Sequence, residues 1–315
     1  MIYKIQNEFL DVEIYSWGAS ILSMKFFDGF NWQETTVRYS DLSLYEGDNP
    51  YYLNSVIGPH SGRIKDGKYY SGKEWIQLET NDRGNHLHGG STGFHTLNFT
   101  GSIIENTKLL MKAMDEPNKC DIQITFTLEE SRLNIDYQVT NYTDLVMNMT
   151  HHTYFNLSGE DTIKNHRIKV DADEVCYLDE SGAPTYLTDV SGPFDLREWS
   201  VLGDVMKDGH EQFKITDNID HPFKVDDGDV KLESSESKIG VCVSSNRPYV
   251  VVYTGNYLLG EAEFLNKGKS LKHQLIAIEP QYLPNDVNLL IGENQLLKKD
   301  SLYTQTICYD FYKID

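Results

Sequence analysis

Basic side chains are in short supply. The chain carries 28 Lys plus Arg against 48 Asp plus Glu, a net charge of −20. Binding a polyanion rests on neutralising its phosphates with cationic groups, so nucleic acid is excluded as a natural partner. The same balance argues against an acidic membrane surface and against a highly charged anionic substrate, leaving a neutral ligand as the best fit. Cysteine is sparse as well. Cys120, Cys176, Cys242 and Cys308 lie far apart and form no CxxC pair, a spacing that points to neither a zinc site nor a disulfide framework. Buried free thiols in a reducing cytosol are the expectation.

No stretch approaches the roughly 20 apolar residues that span a bilayer. Residues Met1 to Glu8 lack the basic start and apolar core of a signal peptide. Tandem repeats, low-complexity tracts and Pro/Ser-rich linkers are missing too, so residues 1–315 read as a single domain. Helical periodicity is scarce, with short helices expected only within Ser43 to Tyr52 and Asp195 to Leu202.

What is present is alternation with a period of two. Ile122, Ile124, Phe126 and Leu128 alternate with Gln123, Thr125 and Thr127; Leu133, Ile135, Tyr137 and Val139 do the same with Asn134, Asp136 and Gln138. The intervening Glu129 to Arg132 has the length of a hairpin loop, so this is a pair of half-buried antiparallel strands. Further strands are expected over Phe9 to Tyr15, Leu109 to Met114, Arg167 to Ala172, Val241 to Ser244, Val250 to Tyr253 and Leu275 to Glu279. Turn pairs such as Asp66-Gly67 and Ser71-Gly72 separate the strand-like segments. The 39% hydrophobic content and the 20 tyrosines suit pleated, partly polar surfaces. The class is all-β: one large antiparallel β-sandwich with few short helices.

Four polar clusters and one arginine carry the chemistry. In Asn85-His86-Leu87-His88-Gly89-Gly90 the paired glycines permit a tight turn that leaves a histidine at a loop tip. In Thr150-His151-His152-Thr153-Tyr154-Phe155-Asn156-Leu157 the adjacent histidines of a strand point to opposite faces, so only one can enter a given pocket. The bland version of that segment has one histidine solvated and the other hydrogen-bonded in the core. Metal-ligand spacing of the HExxH kind is absent. Asn218 to Phe223, containing Asp220, reads by itself as an Asx-type turn before a strand. In Ile276-Ala277-Ile278-Glu279-Pro280-Gln281 an apolar strand ends in a carboxylate. Burial there raises its pKa and suits it to general-base work, and no basic residue stands near it in sequence. Arg63 follows Gly58-Pro59-His60-Ser61-Gly62, a constrained turn that would present its fork of donors.

Taken together and in order, these segments resemble the galactose mutarotase (aldose 1-epimerase) family. The likeness runs from Gly18-Ala19 to Val287-Asn288. It includes Gly62-Arg63-Ile64, Leu87 to Gly90, His152 to Leu157, Pro193 to Arg197, Ile219-Asp220-His221, Tyr253 to Asn256 and Glu279-x-Gln281. The resemblance implies a β-sandwich of the mutarotase type that binds a sugar across one sheet. It implies Glu279 as general base at the anomeric hydroxyl, His152 as general acid at the ring oxygen, and Arg63, His88 and Asp220 as holders of sugar hydroxyls. No cofactor or metal is needed for such chemistry, and the partner is a small-molecule sugar met by a monomer or homodimer in the cytoplasm. Three positions depart from the family pattern: Gly62 and His151, where asparagine is common, and Tyr282 to Asp286, where Trp-Pro-Asp is familiar. A hexose-6-phosphate mutarotase would need more basic residues than Arg63. A silent sugar-binding protein would be expected to lack Glu279 or His152. A glycoside hydrolase would use Asp220 and Glu279 as its carboxylate pair.

Overall fold

The computed structural model describes residues 1–47, 49–292 and 295–314. The expected hairpin forms from strands Cys120–Glu129 and Arg132–Asn141, whose ladder runs from Cys120 opposite Asn141 to Glu129 opposite Arg132. Pairing therefore continues to the ends of the expected loop and leaves a tight turn of Glu130 and Ser131, with Glu130 at φ 52°. Ile122, Ile124, Phe126, Leu133, Ile135 and Tyr137 are buried, while the polar residues between them are partly or fully exposed. That is the half-buried pattern an antiparallel pair shows when one face meets the core.

This hairpin lies inside a nine-stranded antiparallel sheet. Its order is 100–105, 108–115, 120–129, 132–141, 302–313, 239–245, 230–234, 167–170 and 200–201. The strand Leu302–Lys313 comes last in the chain yet sits between Arg132–Asn141 and Ile239–Ser245, hydrogen-bonded to both. A six-stranded sheet faces it, in the order 154–155, 276–281, 249–253, 220–224, 174–178 and 184–189. One hydrophobic cluster joins the two, with Ile124, Phe126, Tyr137, Tyr309 and Val241 from the first sheet and Phe155, Val175, Phe223, Val252 and Ile278 from the second. A smaller sheet over residues 2–34 adds Ile5, Val12, Ile14 and Phe26 to the same core. This is the expected all-β sandwich.

The two helix expectations are met only in part. Within Ser43 to Tyr52 only a short 3-10 turn forms, Leu42–Tyr45, capped by the Asp41 side chain on the Ser43 amide; Asp48 lies outside the described residues. Asn49, Tyr52 and Asn54 adopt left-handed backbone, which no right-handed helix can continue through. In Asp195 to Leu202, Ser200–Val201 pairs as a strand with Arg167–Ile168, and the helix begins only at Leu202–Val205. Sheet pairing overrides local propensity there. The cysteines are all free, with Cys120 and Cys176 buried but Cys242 and Cys308 only partly so.

Candidate active site

The central strands of the six-stranded sheet, 276–281 and 249–253, are buried on both faces, and alternation decides what each face carries. Along Ile276–Gln281, Ile276 and Ile278 join the core while Glu279 and Gln281 turn the other way. Along Tyr249–Tyr253 the core takes Val250 and Val252, and the far face takes Val251 and Tyr253. Along Asp220–Lys224 the far face takes Asp220 and Pro222. Cross-strand register brings these together: Val251 stands opposite Glu279 and Pro222, and Tyr253 opposite Asp220. They form the floor of a cavity of about 410 Å³, walled by Tyr52, Arg63, Asp82, His88, His152, Tyr154, Gly182, Tyr257 and Pro284, with Arg83, Leu259 and Glu261 at its mouth. Segments scattered along the chain from Tyr52 to Pro284 thus meet on one face. Arg63, His88, His152, Asp220 and Glu279, the expected site residues, all line this one cavity.

Arg63 enters through a short ladder in which Arg63 pairs with Leu87 and Ile64 with His86. That ladder sets the arginine beside the His88 turn. Its Nε donates to Asp82 Oδ2 at 2.7 Å, and its Nη1 lies 3.6 Å from Asp220 Oδ2. Burial pushes the Asp220 carboxyl up, against the pull of Arg63. Gly62 holds φ +69°, and a Cβ there would meet the Pro284 ring at 2.5 Å. A side chain at position 62 would therefore have to displace Pro284, so the glycine here is set by that close packing.

His88 is buried, not exposed at a loop tip as expected. The turn that carries it is so close that a Cβ on Gly89 would lie 2.2 Å from the Gly58 carbonyl oxygen. The Gly62 amide donates to His88 Nδ1 at 3.2 Å, which leaves the ring proton of the neutral form on Nε2. Burial, then the neighbouring His152 and Arg63, hold this imidazole well below its ordinary pKa. His86 points away from the cavity, its Nδ1 bonded to the Glu79 carbonyl at 2.8 Å.

The adjacent histidines part as the alternation requires, but neither is solvated. His151 Nε2 meets the Asn54 carbonyl at 2.9 Å and its Nδ1 meets the Tyr137 hydroxyl at 3.1 Å, a satisfied core histidine. His152 faces the cavity with Nε2 3.5 Å from Glu279 Oε1. Glu279 therefore has a basic neighbour through space although none stands near it in sequence. Burial pushes the Glu279 carboxyl well above its ordinary range, with Asp220 adding to the effect and Arg63 opposing it. Burial likewise pushes His152 down to about 3. Both shifts favour the neutral forms, a protonated Glu279 beside an uncharged His152. Glu279 Oε2 and Gln281 Oε1 are buried and find no hydrogen-bond partner among the described residues. An unmade hydrogen bond on a buried oxygen costs roughly 1–3 kcal/mol, so both oxygens are open to a donor entering the cavity.

Asp82, Tyr52 and Tyr257 escaped sequence reasoning, and Tyr253 was read only within a strand and a family-like segment. Asn81-Asp82-Arg83-Gly84 reads as an ordinary surface turn, and nothing local ties Asp82 to the distant Arg63. Among the described residues, no group of three or more His, Cys, Asp or Glu side chains converges as a metal-ligand set.

Comparison with known proteins bears on this geometry. The family model for aldose 1-epimerase matches residues 1–310. Mouse galactose mutarotase is 28% identical over 324 residues, covering 98% of this chain and 93% of that protein. Aldose 1-epimerase of Escherichia coli K12 is 28% identical over 303 residues, covering 90% and 86%. Among solved structures, an aldose epimerase homologue from C. elegans superposes with a TM-score of 0.91 at 22% identity, covering 100% of this chain and 99% of that one. Galactose 1-epimerase of Lactobacillus acidophilus gives 0.86 at 23%, covering 99% and 94%. The chain belongs to the aldose 1-epimerase family.

Proposed function

We propose that this protein is a mutarotase that interconverts the α and β anomers of a free hexose, galactose or glucose, by acid–base ring opening. The observation that carries the reading is the His152–Glu279 pair, 3.5 Å apart and buried at the floor of an open cavity. Its neighbour Arg63 is already engaged by Asp82 and Asp220.

In this reading Glu279, as carboxylate, takes the proton from the anomeric hydroxyl while His152, as imidazolium, gives one to the ring oxygen. The O–H electron pair becomes the C1=O bond of the aldehyde and the C1–O5 bond breaks. Rotation about C1–C2 and reversal of both transfers close the ring on the other face. The reactive charge state is one internal proton transfer, from Glu279 to His152, away from the resting state. Ring opening then returns the proton to Glu279 and leaves His152 neutral. That is the distribution burial favours, so the open-chain step is helped by the same desolvation that sets the resting pair. His88, with its Nε2 proton, together with Arg63 and Asp220 supplies donors and acceptors for the remaining hydroxyls. Each well-placed acid or base contributes roughly 10²–10⁴-fold.

The cavity lining supports a free sugar over a phosphorylated one. Arg63 is paired with two carboxylates, and Arg83 at the mouth bonds the Ile215 carbonyl and the Tyr257 hydroxyl. Glu261 stands at the same mouth. Polarimetry of freshly dissolved α-D-galactose and α-D-glucose tests the reading: the protein should speed decay to an unchanged equilibrium rotation. Acceleration confined to a hexose 6-phosphate would move the substrate class, and no acceleration with any of these would overturn the reaction.

A further inference from the structure

An imidazole that moves protons needs a fixed orientation, usually set by a hydrogen bond to its second nitrogen. His152 lacks that device: its Nδ1 finds no partner outside its own residue among the described residues. Rings surround it instead. Tyr154 lies at 4.8 Å between centroids, His88 edge-on at 5.4 Å, Tyr52 near-parallel at 6.3 Å and Tyr253 edge-on at 6.3 Å. Of these, Tyr52 touches the most imidazoles, since it also meets His88 at 4.6 Å and His95 at 4.8 Å, both edge-on.

The backbone at Tyr52 points the same way. Its φ is +51°, an uncommon and strained setting for an aromatic residue. Such strain persists only where the surroundings impose it, and here they do. The Tyr52 amide donates to the Asn49 carbonyl at 2.8 Å, and the Ser55 amide donates to the Tyr52 carbonyl at 3.2 Å. The Asn54 amide donates to the His152 carbonyl at 3.1 Å, and the His152 amide donates to the Ser55 carbonyl at 2.9 Å. The segment bearing Tyr52 is thus laced to the backbone of His152 itself.

We propose that Tyr52 is the positioning residue for the His152 imidazole, holding it by ring packing toward Glu279 while fixing its angle to His88. The inference rests on the acid role given to His152 above. The ring carries this role and the hydroxyl does not.

Tyr52→Phe keeps the ring, and Tyr52→Leu keeps the strained backbone without it. In mutarotation assays Tyr52→Phe should keep kcat within about twofold. Tyr52→Leu should lose on the order of 10²-fold in kcat, the scale of a roughly 1 Å misplacement of a catalytic group, with KM changed little. Its acid limb should also move to higher pH, because water reaching the loosened imidazole eases a second protonation. If circular dichroism shows Tyr52→Leu unfolded, Tyr52→Met is read the same way. Wild-type kcat and acid limb in the ring-deleted variant, or equal damage in Tyr52→Phe, would overturn the proposal. Glu279→Gln and His152→Gln run alongside: full activity in both sinks the acid–base reading and this inference with it. Inactivity in both beside a normal Tyr52→Leu sinks this inference alone.

Discussion

The two large sheets run on the same alternation and put it to different use. In the nine-stranded sheet the outward residues of the central hairpin, such as Gln123, Thr125 and Gln138, meet solvent. In the six-stranded sheet the outward residues of the central strands are roofed over by the segments that carry Tyr52, Arg63, His88 and His152. A polar side chain on the first surface keeps its water and its ordinary chemistry. On the second it loses water, and the consequences appear together: Glu279 pushed up, His152 pushed down, and oxygens left without partners among the described residues. Chemistry resides where the strand pattern survives and the solvent does not.

That contrast can be broken by mutation. Glu279→Gln should lower mutarotation by about two to four orders of magnitude while leaving thermal stability equal or higher, because a buried carboxyl becomes a neutral group of the same shape. Polarimetry and a melting curve on one sample decide it, and unchanged turnover would falsify the base assignment. Ile124→Ala, on the core face of the other sheet, should do the reverse. A loss of about 2–5 kcal/mol in urea unfolding is expected, with turnover per folded molecule intact.

Acid should distinguish the enclosed groups from the solvated ones. His60, His151 and His221 sit at about 3 because burial disfavours their charged forms, and burial holds His95 and His166 at about 4. Their folded pKa values lie below the unfolded value of about 6.5, so the unfolded chain binds more protons in between. Stability is then complete above about pH 6.5 and falls as pH drops toward about 4. Glu279, Asp220 and Asp115 are shifted upward and oppose this, losing stability as pH rises; the histidines outnumber them. Urea midpoints at pH 7, 6 and 5 should decline in step, and a flat or rising series would refute the sign.

A smaller contrast separates His88 from His86. His88→Ala should reduce kcat/KM by about threefold to tenfold, the effect of removing one neutral hydrogen-bond donor of roughly 0.5–1.5 kcal/mol. His86→Ala should act mainly on stability through its lost bond to the Glu79 carbonyl. Equal losses in kcat/KM would mean that the cavity reaches further than its lining indicates. Gln123→Ala, on the solvated face, should stay within about 0.5 kcal/mol in stability and leave kinetics untouched.

The same difference explains what could be read from sequence. The Ile122 to Val139 hairpin was legible because alternation is a local signal and water enforces it. Glu279 was legible as a carboxylate closing an apolar strand, and the His151–His152 split follows from strand geometry alone. Arg63, His88 and Asp220 were weak signals one by one and strong only as an ordered set. Asp82 and Tyr52 were not legible. The first acts through an ion pair with Arg63, remote from it in sequence, and the second through ring contacts and a left-handed backbone. Neither leaves a pattern in its own neighbourhood. The helix expected in Asp195 to Leu202 was met only in part for a related reason, since Ser200–Val201 is claimed by the strand at Arg167–Ile168, well outside any local window.

The place of Leu302–Lys313 bears on how the molecule is made. Both of its partners, Arg132–Asn141 and Ile239–Ser245, leave the ribosome before it does. Until it arrives, each offers an open edge of unpaired amides and carbonyls, and the two halves of the nine-stranded sheet have nothing to join them. The strand therefore works as a keystone laid last. Until then both edges lack their central partner, and unpaired strand edges are where chains associate with one another.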